Sequence, residues 1–178
     1  MAEILAPAGD AAAFEAALGA GADAIYLGLQ DFSARKAAAN FTLENLADYT
    51  ARAHVLGAKV YVALNTLVKD GELEAFFSCA LRAWNAGADA LILQDVFLGK
   101  LLKQAYPSME LHLSTQAGVC NVYGARLAKR CGFSRVILAR EATLADIAAV
   151  AAEMEAECFV QGALCTCFSG QCYFSSVI

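Results

Sequence analysis

One ten-residue pattern recurs along the chain and constrains its fold more than any other feature. Gly19-Ala-Gly-Ala-Asp-Ala-Ile-Tyr-Leu-Gly28 parallels Asn85-Ala-Gly-Ala-Asp-Ala-Leu-Ile-Leu-Gln94, and a weaker echo is Lys129-Arg-Cys-Gly-Phe-Ser-Arg-Val-Ile-Leu138. Each copy carries a glycine suited to ending a helix, followed by a run of aliphatic residues suited to a strand buried on both faces. The chain therefore reads as a series of helix, turn and strand units.

The segments between the repeats extend the same alternation. Residues 3–6 read as a short strand, with Asp10 placed to cap a helix running to about Leu18. Lys59 to Leu64 reads as a strand, flanked by amphipathic helices near 43–56 and 72–85 that begin at Thr42 and Asp70-Gly71. A helix near 97–105, a strand over Glu110 to Leu113, a helix near 121–131 and a helix opened by Thr143 follow, and the apolar run Cys158 to Val160 supplies a seventh strand. Short strands alternating with helices of this kind specify a parallel sheet. No G-x-G-x-x-G follows the first strand, which favours a barrel over a doubly wound sheet.

A complete (β/α)8 barrel takes about 250 residues, and this chain has 178. The expected fold is α/β: an incomplete TIM-like (β/α) barrel of about seven parallel strands, one domain over 1–178, cut before closure as a fragment of a longer chain. Strands left at the two edges would expose unpaired backbone groups, so a homodimer or an element swap is expected.

Composition excludes several classes. Although 59% of residues are hydrophobic, no apolar run approaches the roughly 18 residues of a membrane span. The start lacks a basic segment followed by an apolar one, so a cytoplasmic protein is expected. Seven cysteines, an odd number, match a secreted disulfide framework poorly. A net charge of -5 with no basic cluster leaves a weak electrostatic footprint for nucleic acid. H-E-x-x-H and G-x-S-x-G are both absent, so neither a zinc protease nor a serine triad gains support.

In a barrel the chemistry sits at the carboxyl ends of the strands. Asn65 and Thr66, Gln94 and Asp95, Ser114 to Gln116, Arg140 and Glu141, and Gln161 each follow an aliphatic run and gather there. Of these, Asn65, Gln116, Arg140, Glu141 and Gln161 are the candidate catalytic residues, while Thr66 and Asp95 read as turn and cap. Arg140 has the planar fork of a carboxylate or phosphate clamp, and Arg35 could supply a second. Glu141 could instead simply neutralise an arginine. His112 and His54 read as a packed residue and a solvated helix face.

The last stretch is the densest in chemistry. Cys165, Cys167 and Cys172 fall within eight residues around Gly170, and soft thiolates in such density suit an iron–sulfur cluster or a zinc or copper ion. Buried inert thiols are the alternative.

At this point a resemblance emerges. Glu157, Phe159, Val160, Gly162, Ala163, Cys165, Ser169, Gly170, Cys172 and Ser175 match the hallmark of the collagenase-like peptidase family U32, as do Ile4 to Gly9, Leu64-Asn65-Thr66, His112 to Gln116 and Ala139-Arg-Glu141. Gln161 stands where that family usually has histidine, and Cys167 is an additional thiol. Some members are similar proteins that hydroxylate RNA bases without oxygen, with prephenate in the background, or hydroxylate ubiquinone precursors. The resemblance implies a 4Fe-4S cluster in the full-length protein, held by Cys165 and Cys172 and by further cysteines beyond Ile178, with Cys167 a substitute ligand or a bystander. It also implies a small anion such as prephenate as a ligand, and RNA or quinone as a partner reached through later residues. A collagenase-like protease and a non-catalytic partner subunit are the other readings. A thiol protease would need a base beside its nucleophile, and Gln161 removes one.

Overall fold

The computed structural model describes residues 2–34, 39–162 and 166–171. Seven strands lie in one sheet in the order of the sequence, and every pairing whose register is described is parallel. Strands in chain order, each returned through a helix, give the topology of an incomplete TIM-like (β/α) barrel. The chain divides into two compact units, residues 1–92 and 93–178.

The first unit contains β1 (Leu5–Ala8), α1 (Ala11–Gly19), β2 (Ala24–Gly28), α2 (Leu46–Val55), β3 (Lys59–Leu64) and α3 (Leu73–Asn85). Asp10 caps α1 through the Ala13 N–H, satisfying one of the four donors that a helix start leaves open. Thr42 and Asn45 bond each other's backbone N–H reciprocally ahead of α2. A 3-10 turn over Asp70–Glu72 leads into α3. Ile25, Leu27, Val60, Val62 and Leu64 are buried in the sheet, and Phe14, Phe41 and Tyr49 stack edge to face with centroids 4.7 to 6.1 Å apart.

β4 (Ala90–Leu93) spans the division. The second unit continues with α4 (Val96–Ala105), β5 (Leu111–Leu113), α5 (Val122–Arg130), β6 (Arg135–Ile137), α6 (Leu144–Ala151) and β7 (Glu155–Glu157). Asp95 caps α4 and Thr143 forms a capping box with Asp146 on α6. Gly99 has no room for a Cβ against the Phe133 ring, so α4 packs its backbone directly onto the turn before β6. Leu98, Leu102, Leu111, Leu113, Ala128 and Val136 close this core.

The recurring motif has one structural meaning in all three copies. Gly21, Gly87 and Gly132 adopt φ of 81°, 95° and 94°, a left-handed turn that only glycine enters without strain. Two residues later the chain docks on the preceding odd-numbered strand's amino end: the N–H groups of Asp23, Asp89 and Ser134 donate to the carbonyls of Ile4, Val60 and Leu111. Their side chains close the same joint. Asp23 and Asp89 accept from the N–H groups of Ile4 and Val60, and the Ser134 hydroxyl donates to Leu111.

The seventh strand lies earlier than its apolar run suggests. β7 is Glu155–Glu157, in register with Arg135 to Ile137, and Phe159 and Val160 beyond it are exposed. Arg135, only 6% exposed on β6, sets this register. Its guanidinium bonds Glu155 at 2.7 Å and Glu157 at 3.4 Å, and the 155–157 register brings two carboxylates to a buried cation that cannot shed its proton, whereas the apolar run 158–160 would bring none.

Candidate functional site

In the second unit the residues after β5 and β6 converge on the segment 166–171. Ser114 caps a 3-10 turn over Thr115–Ala117 by accepting from the Gln116 N–H, and Gly118 closes it in the left-handed conformation. Thr115 ties this turn to the end of β6 by donating to the Leu138 carbonyl. Gln94, after β4, donates to the Gln116 carbonyl at 3.5 Å. That carbonyl also faces Gly170, where φ is 78° and a Cβ would collide with it. Gly170 is therefore required twice over, by its backbone angle and by its neighbour. In the described residues Gly170 admits the backbone of Gln116.

Arg140 and Glu141 grip the same segment from the end of β6. The Arg140 guanidinium donates from Nη2 to the Cys167 carbonyl at 2.9 Å and from Nε to the Ser169 hydroxyl at 3.4 Å, while its backbone N–H donates to that hydroxyl at 3.2 Å. Glu141 accepts from the Ser169 N–H at 3.0 Å. Desolvation is the largest single influence on the Glu141 carboxyl and raises its pKa. Hydrogen bonds from its own backbone and from Ser169, with the Arg140 charge, together outweigh it and hold the group below its ordinary value.

The arrangement brings Gln116, Arg140, Glu141 and Cys167 to one segment: Arg140 and Glu141 hold Ser169, Arg140 holds the Cys167 carbonyl, and Gln116 backs Gly170. Gln161 is exposed just beyond β7. Asn65 belongs to the first unit, where its Oδ1 accepts from the Ala34 N–H at 3.1 Å and holds the loop after β2. Arg35, Cys165 and Cys172 lie outside the described residues. Among the described residues no three His, Cys, Asp or Glu side chains stand close enough to hold a metal ion, so these residues by themselves do not form a cluster site.

Two features were not singled out from sequence. Ser169 was legible only as one position of a family pattern, and a serine hydroxyl shared by a side chain and a backbone N–H leaves no spacing signal. Arg135 did leave one: an arginine inside the run Ser134 to Leu138 has to find carboxylates on the next strand.

The model of peptidase family U32 matches residues 9–178. A 23S rRNA 5-hydroxycytidine synthase of Escherichia coli is 42% identical over 97% of this chain and 26% of its own length. A tRNA hydroxylation protein P of the same organism is 37% identical over 99% of this chain and 40% of its own. A collagenase of Porphyromonas gingivalis is 31% identical over 97% of this chain and 44% of its own. The chain thus spans between about a quarter and under half of these relatives. The solved U32 peptidase Mk0906 superposes with a TM-score of 0.67 at 12% identity, over 89% of this chain and 67% of that one, which supports the barrel topology. A family match over nearly all of its length makes this chain a member of peptidase family U32.

Proposed function

We propose that the protein to which this chain belongs hydroxylates pyrimidine bases in RNA, and that the cysteine-bearing segment is part of its reaction centre. The observation that carries the reading is the fixing of residues 167–170 at the strand ends by Arg140, Glu141 and Gln116. A barrel places its chemistry at those ends, and a loop held by charge-assisted bonds from two side chains is a preorganised one. Two relatives that match almost the whole chain carry RNA-hydroxylation names.

An iron–sulfur cluster at Cys165 and Cys172, with further ligands from the rest of the protein, would supply the electron transfer that an oxygen-independent hydroxylation needs. The role of this chain's described residues is positional: Arg140 and Glu141 set the loop, and Gln116 supports Gly170. A small anion such as prephenate would meet Arg140 with Nε and Nη2 already bonded to Ser169 and Cys167. The test is purification of the full-length protein without oxygen, with Cys165→Ala, Cys167→Ala and Cys172→Ala variants. We expect iron and acid-labile sulfide to fall in Cys165→Ala and Cys172→Ala, together with hydroxylated pyrimidine in RNA by mass spectrometry. Unchanged iron in all three variants would overturn the cluster.

The collagenase relative favours a second reading, hydrolysis of peptides. Cleavage of gelatin that is abolished by thiol alkylation, without hydroxylated pyrimidine, would establish it instead.

A further inference from the structure

A cleft of about 370 Å³ opens in the first unit, lined by Gln30, Asp31, Phe32, Thr66, Leu67 and Glu72. These residues follow β2 and β3, so the cleft sits at the carboxyl ends of its own two strands, where a barrel binds ligands. Its volume lies within the range of small-molecule sites.

The lining is specific in shape and charge. Phe32 holds φ at 58°, a conformation that a bulky side chain adopts only when its surroundings impose it and that clusters at ligand sites. Its ring stands edge to face on buried Phe76, with centroids 5.5 Å apart, and Leu67 is 75% exposed at the same cleft. A flat ligand thus has an aromatic and an aliphatic wall to rest on. The polar lining is amide, hydroxyl and carboxylate, with no cation among the described lining residues. The Glu72 carboxylate is oriented by the Lys69 N–H at 2.8 Å. Burial, and then the nearby Asp31 carboxylate, push the Cys79 thiol up to about 11, and Asp31 itself lines the cleft. Among the described lining residues the polar groups suit a neutral planar group with an exocyclic amine.

We propose that this cleft takes the base of a single-stranded cytidine in RNA, its N4 amine donating to Asp31 or Glu72 and its ring lying against Phe32. Carboxylates select cytosine because N4 is a donor, whereas uracil turns the O4 acceptor toward the same oxygens. Gln30 and Thr66 supply donors for the cytosine O2 and N3. The assignment rests on the RNA-hydroxylase reading for its substrate class, and it adds a choice between the two pyrimidines.

The test is calorimetric titration of the full-length protein with cytidine, uridine and adenosine monophosphates and with single-stranded RNA pentamers bearing one central cytidine or uridine. Cytidine should bind about tenfold more tightly than uridine in both formats, and the pentamer more tightly than the nucleotide. Asp31→Asn combined with Glu72→Gln should bring the ratio close to one. Phe32→Ala should weaken both pyrimidines about tenfold or more without changing their ratio, with circular dichroism confirming the fold. Equal affinity for cytidine and uridine, no binding of either, adenosine binding as tightly as cytidine, or a ratio that survives the double substitution would overturn the proposal. A free nucleotide binding as tightly as the pentamer would overturn its RNA part. Hydroxylated pyrimidine measured on the same preparations separates the two readings. Hydroxylation with equal pyrimidine affinities refutes the cleft alone; cytidine selectivity without hydroxylation refutes the reaction and leaves the cleft.

Discussion

At the amino ends of the strands, Asp23, Asp89 and Ser134 each fasten one unit of the repeat to the strand before it with paired bonds. Charge reinforces them: Glu3 takes Lys59 and the buried Tyr61 hydroxyl, and Arg135 takes Glu155 and Glu157. At the carboxyl ends the polar groups do something else. Arg140 and Glu141 hold residues 167–169, and the loops after β2 and β3 leave a cleft open. Within each unit the amino ends of the strands spend their polar groups on register, while the carboxyl ends shape a hollow in the first unit and position a loop in the second, the division of labour between stability and function that barrels show. Substitutions at the two ends should therefore fail differently.

The largest effect should come from Arg135→Met at the amino end. It leaves Glu155 and Glu157 without their cation and removes what sets the β7 register, so a loss of about 3 kcal/mol is expected in urea unfolding. Asp89→Ala should follow with about 1–3 kcal/mol, because the buried Val60 N–H loses its side-chain acceptor and His54 its partner. Gly170→Ala tests the other end. A Cβ there meets the Gln116 carbonyl in a left-handed backbone, so about 1–2 kcal/mol of local strain should loosen the segment, read as faster alkylation of Cys167 with little change in the urea midpoint. A midpoint that falls as far as in Asp89→Ala would break the comparison.

The smallest effect is a pH dependence. The folded-state pKa of Glu141 lies below its ordinary value, so its contribution is fully present above the unfolded pKa of about 4.3 and is lost as pH falls through the lower folded value. The grip on Ser169 should loosen only in that acidic window, as faster hydrogen exchange at the Ser169 amide. Because the carboxylate is solvent-exposed, solvent screens the effect. Loosening that began near neutral pH would assign the grip to another group.

Much of this was legible in the sequence. The Gly21, Gly87 and Gly132 repeats announced the helix-to-strand joints because a left-handed turn leaves a glycine in the sequence, and Asp10, Asp95 and Thr143 announced their caps by chemistry that is local in the chain. The convergence of Gln116, Arg140 and Glu141 was legible as strand-end polarity. What they hold was not, since Ser169 and the Cys167 carbonyl reach them across nearly thirty residues, through a hydroxyl and a backbone oxygen that no residue pattern marks. The start of β7 was hidden for a similar reason. The apolar run Cys158 to Val160 looks more like a strand than Glu155-Ala156-Glu157, and only the buried cation on the neighbouring strand decides between them.

The most direct test pairs Arg135→Met with Arg140→Met in the full-length protein, measuring the urea midpoint and the hydroxylated pyrimidine formed per folded molecule. The account predicts a lowered midpoint with activity retained for Arg135→Met, and an unchanged midpoint with activity lost for Arg140→Met. Full hydroxylation by the Arg140→Met protein would contradict it.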